Sequence, residues 1–205
     1  MNISFFLKGL VIGFSIAAPV GPIGVLCIRR TLAQGRASGL ISGLGAATAD
    51  AIYGCIAGLG LTFISSLLIS QQLWLRLIGG AFLCYLGIKI FIAPPAEHAA
   101  KVKGSSLISA YTSTCFLTLT NPMTVLSFAA VFAGLGLANT AGNYASAIVL
   151  VLGVFLGSAL WWLMLSGGIS LFRTKLTPQR LQWINRVSGI MIMMFGLMAL
   201  LSFRT

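Results

Sequence analysis

The sequence predicts an all-α integral membrane protein with six transmembrane helices. Of its 205 residues, 58% are hydrophobic and 7% are charged, and the mean hydropathy of +1.02 is well above the range of soluble domains. The apolar residues fall into six runs, each long enough to cross a hydrocarbon core of about 30 Å as a helix. The apolar and polar alternation that is typical of a membrane strand is not seen in them.

The six runs are separated by short connections. They lie approximately at residues 3–28, 38–68, 73–93, 107–137, 144–172 and 184–203. We therefore expect one transporter domain over residues 1–205, without a separate soluble domain. The first run is interpreted as a retained span, because its first cation is Lys8 and its apolar stretch is longer than that of a secretory signal.

The charges indicate how the chain is oriented. The chain has thirteen Lys and Arg residues but only two acidic residues, Asp50 and Glu97, which gives a formal net charge of +11. Most cations lie in the odd-numbered loops: Arg29, Arg30 and Arg36 in the first, Lys101 and Lys103 in the third, and Arg173, Lys175, Arg180 and Arg186 in the fifth. Such spacing indicates topology signals and not a nucleic-acid surface. The positive-inside rule then predicts a multi-pass protein of the bacterial cytoplasmic (inner) membrane with both termini periplasmic or extracellular.

Two of the runs contain residues that interrupt a helix. The first contains Pro19, Gly21 and Pro22, and the fourth contains Asn121 followed by Pro122. Proline removes a backbone donor and glycine loosens the helix, so we expect both spans to break there. Irregular backbone at membrane depth persists only where it is buried in protein or lines a cavity. Both breaks are therefore candidate substrate-binding elements.

The order of these features predicts two inverted three-helix repeats, with halves at approximately residues 1–100 and 101–205. Three correspondences support it: the two breaks; Gly45, Asp50 and Tyr53 against Gly153, Ser158 and Trp161; and Gly79, Gly80 and Gly87 against Ser188, Gly189 and Gly196. An odd number of crossings in each half inverts the second half. Paired breaks in inverted halves are the sequence pattern of a transporter's binding site.

Asp50 is the only acidic residue inside an apolar run. It lies about 12 residues into its span, roughly 18 Å deep, and the breaks lie at a similar depth of roughly 10 to 22 Å. A carboxylate at a helix centre costs about 2.5 to 3.5 kcal/mol, so it is normally paired, hydrated or protonated. Asp50 is thus a candidate for the coupling ion or for a substrate ammonium. The structural alternative is a hydrogen bond to a neighbouring helix.

Other groups complete the predicted site. Freed N–H groups at the start of a half-helix suit a substrate carboxylate, and freed carbonyls suit an ammonium or a cation. Asn121 either adds a donor and acceptor to the site or caps the helix after Pro122. Ser158, with Trp161 and Trp162, is expected to line the opposite wall, although tryptophans also serve as interface or packing residues.

Three stretches resemble a known family. They are "GFSIAAPVGPIGVLCIRRTLAQGRASGLISGLGAATADAIYG", "LTLTNPMTVLSFAAVFAGLG" and "GSALWW", and they are similar to the lysine exporter (LysE) superfamily, in particular its RhtB-like amino-acid efflux branch. The resemblance implies a six-span inner-membrane exporter of amino acids or related metabolites, driven by a proton or sodium gradient. It carries the family's Pro-Gly-Pro-like element onto Pro19, Gly21 and Pro22, its membrane Asp onto Asp50, and its Asn-Pro onto Asn121 and Pro122. Val20 and Ala49 depart from the family pattern.

Two other functions are alternatives to an exporter of amino acids. A metal-ion exporter of the same superfamily would need more ligands than His98, the single histidine, which lies in a loop. A membrane thiol-disulfide electron carrier would use Cys27 and Cys115, which lie in the two broken spans but not at matching places. No enzyme activity, cofactor or metal is expected. The expected partners are a small-molecule substrate, a coupling proton or sodium ion and the lipid bilayer, and a homo-oligomer is left open.

Overall fold

The structure, a computed structural model, describes residues 3–19, 21–58, 70–92, 106–134, 144–172 and 177–201. All regular secondary structure in these ranges is α-helix. The helices are α1 (Ile3–Ala17), α2 (Pro22–Gln34), α3 (Arg36–Gly58), α4 (Gln72–Phe91), α5 (Leu107–Leu119), α6 (Pro122–Gly134), α7 (Tyr144–Ser170) and α8 (Pro178–Leu201). The predicted all-α class is confirmed for this part of the chain.

The described helices account for fewer candidate spans than the six predicted. Four helices are individually long and apolar enough to cross a membrane: α3, α4, α7 and α8. The pair α1 and α2 passes the same test only as one span bent by 80°. The fourth apolar run is divided into α5 and α6 of 13 residues each, and neither half is long enough alone. The described helices therefore give four or five candidate spans, and the predicted six are not confirmed.

Both predicted breaks are observed. Helix α1 ends at Ala17 and α2 begins at Pro22, which lacks a backbone donor and so loses nothing at the first helical position. Helix α5 ends at Leu119 and α6 begins at Pro122. The Asn121 Oδ1 atom accepts a hydrogen bond from the Met123 N–H at 3.1 Å. Asn121 thus caps α6, which is one of the two roles that the sequence left open.

The first basic loop is much shorter than predicted. Helix α2 continues to Gln34, so Arg29 and Arg30 lie in the helix, and their prediction as loop residues was wrong. The turn into α3 is formed by Gly35, whose φ of 104° glycine adopts readily because it has no Cβ atom. Arg36, by contrast, is exposed at the start of α3.

Helix α1 packs in parallel along α7 through small residues. A Cβ atom at Gly9 would overlap the Leu150 carbonyl, and one at Gly13 would overlap the Val154 carbonyl. In the other direction, a Cβ atom at Gly153 would overlap the Phe6 carbonyl. Glycines at such positions let two helix backbones approach closely, which is the usual basis of helix packing in membranes.

Helices α4 and α8 pack against each other through the glycines that the sequence singled out. A Cβ atom at Gly87 would lie 2.8 Å from the Gly189 carbonyl oxygen, and one at Gly189 would lie 2.8 Å from the Gly87 oxygen. Gly80 and Gly196 approach each other in the same way. As residue numbers rise along α4, their partners fall along α8, so the two helices are antiparallel.

The outer faces of the helices suit lipid. Helix α7 exposes Ile148, Leu152 and Leu156, one turn apart, while Leu150 and Val154 on the opposite side are fully buried. In water such an apolar stripe would require a partner, whereas hydrocarbon solvates it.

Candidate functional site

A small cavity lies where the two helix breaks and α3 meet. Its volume is about 70 Å³. Five of the residues predicted from the sequence line it: Pro19, Gly21, Pro22, Asp50 and Asn121. The remaining walls come from Ile16, Ala17, Ile23, Gly24, Ala46, Thr118, Thr124 and Trp162. The structure thus brings both breaks and the single membrane acid to one cavity.

Asp50 is held by the opposite half of the chain. Its side chain is only 3% exposed, and its Oδ2 atom accepts a hydrogen bond of 2.7 Å from the Ser158 hydroxyl on α7. The Ser158 oxygen in turn accepts a hydrogen bond of 3.1 Å from Trp162 Nε1. A short chain of donors therefore fixes one carboxylate oxygen, and Asp50 also lines the cavity. The structural alternative for Asp50, a hydrogen bond to a neighbouring helix, is therefore observed, and its role in binding substrate or a coupling ion stays a prediction.

The other predicted residues lie around this centre. Ser158 is fully buried behind Asp50 and lines neither this cavity nor the larger one described below. Pro122 lines only the larger cavity. Trp161 packs edge-to-face against Phe14, with ring centroids 5.4 Å apart, so it joins α1 to α7. Trp162, by contrast, contributes to the small cavity.

A larger cavity of about 690 Å³ adjoins the small one. The two share seven lining residues: Ile16, Pro19, Gly21, Pro22, Ile23, Asn121 and Thr124. The further walls come from α4, α5, α6, α8 and the break before α6: Arg76, Gly79, Gly80, Leu83, Leu117, Thr120, Pro122, Met123, Ser127, Phe195, Met198 and Ala199. Together the cavities form a polar end at Asp50 and a mostly apolar end beyond the breaks.

The start of α2 lies at the small cavity. Gly21, at the N-cap, has no side chain that could accept from the first turn, and residues 21–24 all line the cavity. The first N–H groups of a helix have no partner within the helix and carry partial positive charge. The Asp50 carboxyl and this helix start therefore offer groups of opposite charge to one small space.

Tyr53 supports the second break from α3. Its hydroxyl donates a hydrogen bond to the Leu119 carbonyl, which is left without a helical partner where α5 ends. Tyr53 is 4% exposed and its ring packs against Phe128 of α6, with centroids 5.7 Å apart. One side chain therefore contacts both halves of the interrupted run, three residues after Asp50.

Arg30 is a buried cation that the sequence analysis missed. Its Nη1 atom donates to Ser42 Oγ at 2.9 Å, the Ala110 carbonyl at 2.9 Å and Thr114 Oγ1 at 2.8 Å, and its Nη2 atom donates to Ser113 Oγ at 2.8 Å. These bonds fasten α2 to α3 and α5. The run of hydroxyl residues in the fourth apolar segment was the signal that could have indicated a buried polar partner.

Few side chains in the described ranges could bind a metal ion or form a disulfide. No three His, Cys, Asp or Glu residues come together there. The four cysteines, Cys27, Cys55, Cys84 and Cys115, are all free thiols, and Cys27 is completely buried. His98 lies outside the described residues.

Comparison with known proteins agrees with these observations. The family model "LysE type translocator" matches residues 14–202. The chain is 29% identical to the Bacillus subtilis protein named "Putative amino acid efflux protein YcgF", over 96% of this chain and 94% of that protein. It is 28% identical to the Escherichia coli membrane protein YahN, over 83% and 77% of the two chains. It is 27% identical to the B. subtilis membrane protein YrhP, over 84% and 87%. No solved structure gives a significant match.

Proposed function

We propose that the chain, which belongs to the LysE type translocator family, exports amino acids or related small metabolites by secondary active transport. Family membership confirms the resemblance to the lysine exporter superfamily and makes the chain a multi-pass membrane transporter. The observation that carries the finer proposal is the cavity where both breaks meet Asp50. Irregular backbone around a lone acid is how many transporters build a substrate site.

The small cavity suits the head group of a zwitterion. One water molecule needs roughly 10 to 15 Å³ of such cavity space, so about 70 Å³ is enough for an ammonium and a carboxylate but not for a whole large amino acid. The Asp50 carboxylate attracts the ammonium, and the first N–H groups of α2 attract the carboxylate. YcgF, a relative over nearly the whole chain, is named for amino acid efflux, which supports the same class of substrate.

Transport proceeds by alternating access between two inverted halves, at approximately residues 1–100 and 101–205. Several contacts support this arrangement. Helices α3 and α7 cross in opposite directions, since Gly43 lies against Trp162 and Asp50 bonds to Ser158. Gly45 contacts α5, while the corresponding Gly153 contacts α1. Helix α3 thus runs against its counterpart α7, and α4 runs against its counterpart α8, as expected for inverted halves.

Asp50 couples transport to a proton or a sodium ion. It is the only carboxyl in the described ranges, and a buried acid can exchange a coupling ion with the substrate ammonium as access alternates. Thr118, Asn121 and Thr124 add neutral oxygens to the same cavity. The basic residues of the third and fifth connections, with Arg36 after α2, support placing both termini on the periplasmic or extracellular side of the cytoplasmic membrane.

Purified protein in liposomes tests this function. We expect an imposed proton or sodium gradient to drive transport of radiolabelled amino acids above the rate in protein-free liposomes. Collapse of the gradient with an ionophore should remove the stimulation. Comparing metabolites in the medium of cells with and without the gene supplies the candidate substrates. If neither gradient drives transport of any amino acid or related metabolite that the cells export, the proposal is wrong.

A further inference from the structure

The larger cavity continues from the polar end of the site into apolar surroundings. Its walls include Ile16, Leu83, Leu117, Met123, Phe195 and Met198. Its volume of about 690 Å³ is within the range of pockets that enclose a whole small molecule. Because we place the head group of the substrate in the small cavity, the atoms beyond that head group must lie in this second space, which shares seven lining residues with it.

Arg76 gives the larger cavity one positive charge. It lies near the start of α4 and is the only charged side chain among the described residues that line this cavity. Its guanidinium is a donor only and carries a fixed charge. Hence a second cation brought into the same apolar space would be repelled, while a neutral apolar group would lose nothing.

We propose that the larger cavity takes the side chain of the exported amino acid, and that Arg76 makes the site select large neutral side chains over basic ones. This inference rests on the proposed function and adds the substrate class. The apolar walls favour large side chains, since a pocket discriminates by on the order of tenfold or more for each methylene group. The Arg76 charge excludes lysine-like substrates.

Competition between amino acids in the liposome assay tests whether the charge of Arg76 selects against basic substrates. Wild-type protein should transport labelled leucine, and unlabelled phenylalanine should compete far better than lysine. In R76Q we expect the ratio of lysine transport to leucine transport to rise by at least about tenfold, because a like charge at close range has been removed. The matched control is R186Q: Arg186 is exposed on α8 and lines neither cavity.

A second variant tests whether the larger cavity holds the side chain of the substrate. S127W adds a large ring to the cavity wall and should reduce phenylalanine transport by on the order of tenfold while alanine transport persists. S109W, at an exposed serine that lines neither cavity, is the control. Size-exclusion profiles identify any variant that does not fold.

The outcomes separate the two proposals. If wild-type protein transports neutral amino acids but R76Q and S127W keep the wild-type preferences, the side-chain assignment is overturned and the exporter function stands. Lysine transported by the wild type as well as leucine overturns the assignment too. If no amino acid is transported under either gradient, both proposals are wrong.

Discussion

The Ser158 hydroxyl donates a 2.7 Å hydrogen bond to the Asp50 carboxylate, across the contact between α3 and α7. These two residues hold corresponding positions in the proposed halves, as do Gly45 and Gly153 in the same helices. A contact between equivalent positions lies where the axis relating two inverted halves would pass. The centre of the site is therefore asymmetric in chemistry, with an acid from one half and a hydroxyl from the other.

Removing this hydroxyl should weaken transport. In S158A the Asp50 Oδ2 atom loses a hydrogen bond, and Trp162 Nε1 loses its acceptor. A hydrogen bond to a charged group is worth about 1.5 to 3 kcal/mol, so we expect gradient-driven transport to fall by on the order of tenfold. The measurement is the initial rate of transport in liposomes.

Ser166 provides the control on the same helix. It is also fully buried, but its hydroxyl has no hydrogen-bond partner in the described part of the chain. S166A should therefore leave transport and stability unchanged or slightly improved, since it removes an unpaired polar group. Equal loss of transport in both alanine variants would show that any change within α7 has this effect.

A methyl group added between α1 and α7 should destabilise the protein, because the two helices pack closely there. The Cβ atom of G153A would overlap the Phe6 carbonyl and lie 2.9 Å from the Leu10 nitrogen. Backbone cannot move aside as a side chain can, and overpacking costs about 1 to 3 kcal/mol. We expect a lower thermal unfolding midpoint for the detergent-solubilised protein. In G168A on the same helix the new atom meets nothing within 4 Å, so its midpoint should match wild type, and similar midpoints for the two variants would contradict the packing.

Arg30 should be required as arginine and not only as a cation. A topology signal is satisfied by either basic residue, whereas four hydrogen bonds from one guanidinium need its planar fork. We expect R30K to lower the free energy of unfolding by about 2 kcal/mol, because buried donors and acceptors no longer match. R36K, at an exposed position of α3, should be neutral. If R30K unfolds like the wild type, the guanidinium is not required, and Arg30 acts only as a topology signal.

The helix breaks and their meeting with Asp50 were open to prediction because their causes are local. Proline lacks a backbone donor in every context, and a rise of 1.5 Å per residue fixes depth along a helix. Five of the seven predicted site residues accordingly line the small cavity. Ser158 was linked to Asp50 only by its position in the repeat, and its place behind the carboxyl depends on how α3 and α7 cross.

Arg30 and the span count depend on distant parts of the chain. The acceptors of Arg30 on α5 lie at least 80 residues away in sequence, so its burial has no local signature, and a basic pair after an apolar run is typical of a loop. The hydropathy of the fourth run does not reveal how far Asn121 and Pro122 divide it. That run was predicted as one span broken at Asn121 and Pro122, and it contains two helices of 13 residues that are each too short to cross alone.

We propose above that the Asp50 carboxyl, between the two breaks, couples the driving ion to substrate export. Its most direct test is the gradient-driven transport of D50N in liposomes beside wild-type protein. The amide has nearly the shape of the acid and can still accept from Ser158, so the variant should fold and insert normally. We expect D50N to show no stimulation by either a proton or a sodium gradient at a normal protein level. Gradient-driven transport at the wild-type rate in D50N would contradict the account.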